Sequence, residues 1–100
     1  MPGEATVASE VLARYAADAT REIDGVRGLV ASQLLRHRGV RITGDGAQPG
    51  VELHVDLEWG VPFVEVGRAI QARVRDYLER MAGATPGSVD VVVDSVGPAP

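Results

Sequence analysis

The chain contains no cysteine. That absence excludes a disulfide framework, a thiolate nucleophile and a cysteine-ligated zinc site, and it fits a reducing cytosol. Lysine is missing too: all ten basic residues are arginine. With Ala, Gly and Val so abundant, this reads as the bias of a GC-rich coding sequence rather than as a use of bidentate guanidinium recognition. Aromatic residues are scarce at 4%, so the core must be built from Val, Leu, Ile and Ala. No apolar run approaches the roughly 20 residues of a membrane helix. The opening Met1-Pro2-Gly3-Glu4 has neither the basic nor the apolar region of a signal peptide, and Pro2 breaks the Met-Gly start of N-myristoylation. No repeat or low-complexity tract occurs. A formal net charge of −4 works against direct attraction to phosphate backbones or anionic lipids.

What is present is the pattern of one small domain of 100 residues, a length that buries roughly two thirds of its unfolded surface. The expected layout is a flexible N-terminus at 1–5, a domain at 6–96 and a flexible tail at 97–100, where Gly97-Pro98-Ala99-Pro100 reads as a frayed end. Residues 7–23 carry Val7, Val11, Tyr15, Ala19 and Ile23 at four-residue intervals, widened by Leu12 and Ala16. This predicts a helix capped by Thr6 and stopped by Asp24-Gly25. Residues 26–30 read as an extended entry, and 31–37 are ambiguous between helix and loop. A strand at 40–43 and a Gly/Pro loop at 44–50 precede the clearest strand of the chain. There Val51, Leu53, Val55, Leu57 and Trp59 alternate with Glu52, His54, Asp56 and Glu58, one face packed and one wet. Gly60-Val61-Pro62 breaks it. A long helix follows to Met81, with Val66, Ile70, Val74, Tyr77, Leu78 and Met81 on one stripe and Gly83 as C-cap. The last strand, 88–96, turns Val89, Val91 and Val93 inward and Asp90, Val92 and Asp94 outward.

The order helix–strand–strand–helix–strand predicts an α+β fold of two layers. A hairpin and a crossover give a three-stranded mixed sheet, the last strand parallel to its predecessor, with the helices on one face and a KH-like flavour.

The sequence offers little chemistry. Ser9, Ser32, Ser88 and Ser95 lie in no nucleophile-elbow setting. His37 stands between Arg36 and Arg38 without an orienting acid. No phosphate-binding glycine motif occurs, and Gly44-Asp45-Gly46 supplies one carboxylate where a calcium loop needs several. One constellation stands out: Glu52, His54, Asp56, Glu58, Asp90 and Asp94 share the open face of the predicted sheet. An unshielded face does not split carboxylate pKa values as catalysis requires. The expectation is therefore no catalytic residue, no metal and no cofactor, with these six residues as a candidate interaction face. Gly25-Val26-Arg27-Gly28 matches the Gly-X-X-Gly pattern of KH domains, which leaves a nucleic-acid-binding module as the alternative.

The segment Trp59-Gly60-Val61-Pro62-Phe63-Val64-Glu65-Val66-Gly67-Arg68-Ala69-Ile70-Gln71 resembles the tyrosine-glycine-valine…proline-glutamate-valine-alanine signature of the alkaline shock protein and Gls-type envelope stress response family. Its opening helix with a turn at Asp24-Gly25-Val26, its alternating strand at 51–58 and its closing strand at 89–96 agree, so the likeness covers residues 6–96. Three features depart from the pattern: Trp59 replaces the usual tyrosine, Pro62 sits early, and the stretch before the hairpin is short. The resemblance implies a non-enzymatic, cytoplasmic bacterial protein that often self-associates. It also implies a position near the membrane, held by a small membrane-anchored protein rather than by direct insertion.

Overall fold

The computed structural model describes residues 7–31, 38–44 and 48–98. The strand β3, Gly50–Leu57, organises the fold, with Val51, Leu53, Val55 and Leu57 buried and the residues between them half-exposed. This is the pattern that strict alternation dictates when only one sheet face is covered. One edge of β3 is shared by two short strands in succession. Strand β1, Val26–Leu29, runs antiparallel to its C-terminal half, and β2, Val40–Thr43, runs antiparallel to its N-terminal half. The handover occurs at His54, whose carbonyl accepts from Val30 N–H and whose own N–H donates to the Gly39 carbonyl, each at 2.8 Å. The sheet therefore has four strands, not three. The extended entry at 26–30 became a strand because half of that β3 edge would otherwise have been left without partners.

Strand β4, Ser88–Val96, lies parallel to β3 on its other edge, from Gly50↔Ser88 to Leu57↔Val96, with a bulge after Val55. Gly97 continues this ladder, its N–H donating to Leu57 O at 2.7 Å. The outer edge of β4 pairs with no other strand among the described residues.

Both helices cover the same sheet face. Helix α1, Ser9–Arg21, is shorter than its sequence stripe. Ala8 caps it without a side-chain bond, Thr6 lies outside the described residues, and Val7 is exposed. Its buried surface is Leu12, Ala13, Ala16, Ala17, Ala19 and Thr20, rotated from the valine-led stripe because alanines allow close approach. Thr20 is tolerated there because its hydroxyl donates back to Ala16 O at 2.8 Å. Helix α2, Phe63–Ala82, buries Val66, Ile70, Val74 and Leu78, and Gly83 ends it in a left-handed conformation at φ +65°. Pro62 is its N-cap rather than its first turn, and Met81 is exposed. Tyr15 and Tyr77 join the helices edge to face, 5.8 Å between centroids.

Trp59 does not continue the inward face of β3. The strand ends at Leu57, Gly60 turns at φ +89°, and the indole is 59% exposed. The ambiguous stretch at 31–37, His37 included, falls outside the described residues from 32 on.

Candidate functional site

The open sheet face carries five of the six predicted residues. Glu52, His54 and Asp56 project from β3 because they alternate with its buried set, and Asp90 and Asp94 come from the parallel neighbour β4. His54 links the two strands: its Nε2 is 2.6 Å from Glu52 Oε2 and its Nδ1 is 2.7 Å from Asp94 Oδ2. Carboxylates only accept, and a neutral imidazole has one donor, so both contacts are satisfied only by the doubly protonated ring. The hydrogen bond to Glu52 is the largest cause raising the His54 pKa above its usual 6.5; burial opposes it, and the bond and charge of Asp94 add to the rise.

The remaining carboxylates divide. Asp56 faces Arg27 from β1 at 3.6 Å, an ion pair too long for a hydrogen bond, and its buried Oδ1 has no partner among the described residues. Asp90 sits opposite Glu52 in register, exposed, and forms no ion pair among the described residues. Glu58 lies beyond the end of β3. Its N–H donates to Gly25 O, and its side chain borders a shallow depression with Val61 and Pro62. Arg41 on β2 is the register partner of Glu52. The face is thus a lattice in which cations are set among carboxylates. His54, engaged at both nitrogens, has no free lone pair with which to accept a proton. Among the described residues no group of three or more His, Cys, Asp or Glu side chains is arranged to hold a metal ion.

Gly25-Val26-Arg27-Gly28 does not form a loop between two helices. Val26, Arg27 and Gly28 belong to β1 and pair with β3, so the KH-type backbone clamp has no structural counterpart here.

A second surface escaped the sequence reading. Phe63 and Val64 are 44% and 66% exposed at the start of α2, close in sequence to Trp59. From them a shallow, open groove of about 340 Å³ runs between α2 and β4, lined by Phe63, Val64, Gly67, Arg68, Gln71, Val91 and Val93. The available signal was the placement of two of the chain's few aromatics at a strand break, where burial is hard to arrange.

These surfaces and topology define a small two-layer α+β domain with an open mixed sheet. The chain belongs to the alkaline shock protein family, described as having a cell envelope-related function; the family profile matches residues 1–98. This is the family that the Trp59–Gln71 segment resembles. A relative, the uncharacterised protein YloU of Bacillus subtilis (strain 168), is 24% identical over 106 residues, covering 94% of this chain and 88% of its own length. Among solved structures, the MamM CTD in its copper form superposes with a TM-score of 0.68 at 17% identity, covering 90% of this chain and 87% of that one. A cadmium form of a MamM CTD variant gives 0.57 at 17% identity, covering 88% and 98%. At such identities the likeness is one of fold. No helix among the described residues is long and apolar enough to cross a membrane.

Proposed function

We propose that this chain is a non-enzymatic protein-interaction module of the bacterial cell-envelope stress response, cytoplasmic and held beside the membrane by a small membrane-anchored partner. The observation that carries the reading is the exposure of Trp59, Phe63 and Val64, large apolar side chains close together in sequence and left in solvent by a chain with few aromatics. Exposed aromatic and aliphatic anchors of this kind mark protein-binding surfaces. Membership of a family with cell envelope-related function supports the compartment. The engagement of His54 at both ring nitrogens supports a role without acid–base chemistry. The face of Glu52, His54, Asp56, Asp90 and Asp94, with Glu58 at its margin, belongs to this reading as a second contact surface, suited to a partner that presents its own charges in register. Self-association and attachment to a partner are compatible here, because the groove beside β4 and the charged open face of the sheet are separate surfaces.

The test is a crosslinked pull-down from native cells, with the membrane fraction and bound nucleic acid assayed together. Recovery of a small membrane protein without RNA is the expected result. Salt-sensitive recovery of RNA, with the bait wholly outside the membrane fraction, would replace this reading with the nucleic-acid alternative.

A further inference from the structure

We infer that the outer edge of β4, together with the groove against α2, receives an extended segment of a partner protein as an added strand, with apolar side chains alternating with basic ones. The inference rests on the reading that the chain works by binding protein, and it specifies the surface and the partner's chemistry.

Four observations carry it. First, β4 is nine residues long and its outer edge pairs with no strand among the described residues. A long unpaired edge is a template for another chain unless it is short, bulged or covered. Second, the groove lies alongside that edge, with a helix on one wall and the strand on the other. An incoming strand would send every second side chain into it and the rest onto the open face, the arrangement by which edge-strand addition combines backbone hydrogen bonding with side-chain selectivity.

Third, Gly67 sits inside α2, where glycine costs about 1 kcal/mol relative to alanine. No atom of the chain lies within 4 Å of where its Cβ would stand. Internal packing does not require this glycine, and its bare backbone leaves room for close approach by an external side chain. Fourth, the open-face side of the edge is acidic, with Asp90 exposed and in no ion pair among the described residues, and Asp94, beyond Val92 on the same strand, held by His54. This argues for the occupant. If a second copy paired along the whole of β4, antiparallel about Val92, Asp90 would face Asp94 of that copy twice, and like charges directly opposite destabilise a strand pair. A segment with Arg or Lys at alternate positions meets the same carboxylates favourably. Gln71 closes one end of the site, its Nε2 donating to Val89 O at 2.9 Å.

The probe is a synthetic nine-residue peptide alternating Val and Arg, titrated into the full chain by fluorescence polarisation and by amide chemical shifts; an alternating Val–Glu peptide is the control. We expect the basic peptide to bind with shifts concentrated in β4 and in the first half of α2, and the acidic one at least tenfold more weakly. Gly67→Leu, whose Cβ has open space and whose branched end would occupy the groove, and Asp90→Lys should each weaken binding at least tenfold while circular dichroism stays that of the native fold. Any of three results in vitro would overturn the inference: no binding of the basic peptide, binding by both variants as tight as by wild type, or a wild-type dimer that Gly67→Leu dissolves, which would give the groove to a second copy. If the variants recover the same membrane protein from cells as wild type does, the module reading stands and the groove inference falls.

Discussion

The two edges of the sheet are built in opposite ways. On one side β3 is flanked by β1 and β2, four residues each, interrupted at His54 and bulged between Val26 and Gly28. On the other lies β4, nine residues long, accompanied by a groove and by exposed Phe63 and Val64. Short strands and bulges are the devices by which a sheet edge resists foreign pairing. The first edge has them. The second has one bulge, near its C-terminal end, and its Val89 carbonyl is taken by Gln71; between these points it pairs with no strand among the described residues. On the inference drawn from this difference, β4 is the working edge and the split edge the closed one.

The comparison depends on β3, which serves both edges, and the largest expected effect lies there. Leu57→Asp puts an unpaired charge at a fully buried position, a cost of several kcal/mol against a total stability of about 5–15 kcal/mol. Loss of cooperative melting is expected. Asp56→Leu, one residue away on the open face, should change stability by no more than about 1 kcal/mol. Equal behaviour of the two would show that the facing of β3 is misassigned.

The closed edge is tested at Gly39. Its φ is +93°, and an added Cβ would stand 2.8 Å from Val30 O, so both backbone strain and a collision with main chain oppose any side chain. Gly39→Val should cost at least about 2 kcal/mol, which for a domain of this size lowers Tm by about 10 °C in a thermal melt. At the working edge the sign reverses. Gly67→Ala has open space and should stabilise α2 by about 1 kcal/mol, raising Tm by about 5 °C.

The smallest effect belongs to His54, where the edges meet. Its folded pKa is raised above 6.5, so the stability it contributes is fully present below pH 6.5 and is lost as pH rises through the raised value. Melts from about pH 5.5 to about pH 9 should show this decline in the wild-type chain and its absence in His54→Gln.

The parts of the fold set by side-chain periodicity were legible in the sequence. Val51, Leu53, Val55 and Leu57 fixed the inward face of β3. The spacing from Val66 to Leu78 fixed the buried face of α2, and Gly83 fixed its end. What escaped depends on partners distant in the chain. Residues 26–29 have no clean alternation, and only the vacant half-edge of β3 makes them a strand. In α1 the stripe included Leu12, Ala16 and Ala19, which are buried, but Ala13 and Ala17 were hidden because alanine signals burial weakly next to valine. Trp59 misled because alternation carries no mark of where a strand stops.

Five of the six residues expected on the open face are there and Glu58 lies beyond the end of β3, but the organisation of the face was not legible. That His54 joins Glu52 to Asp94 depends on the register between parallel strands separated by a helix, and that Arg27 reaches Asp56 depends on β1 being a strand. The groove could not be read at all, since it is the space between two elements rather than a pattern within either.

The most direct test of the central claim is site-specific photo-crosslinking in native cells, with the reactive side chain placed at Val64 beside the working edge or at Thr43, exposed at the end of the closed one and beyond the charged residues of the open face. The account predicts an adduct with a membrane-fraction protein from Val64 and none from Thr43. An adduct from Thr43 alone would contradict it.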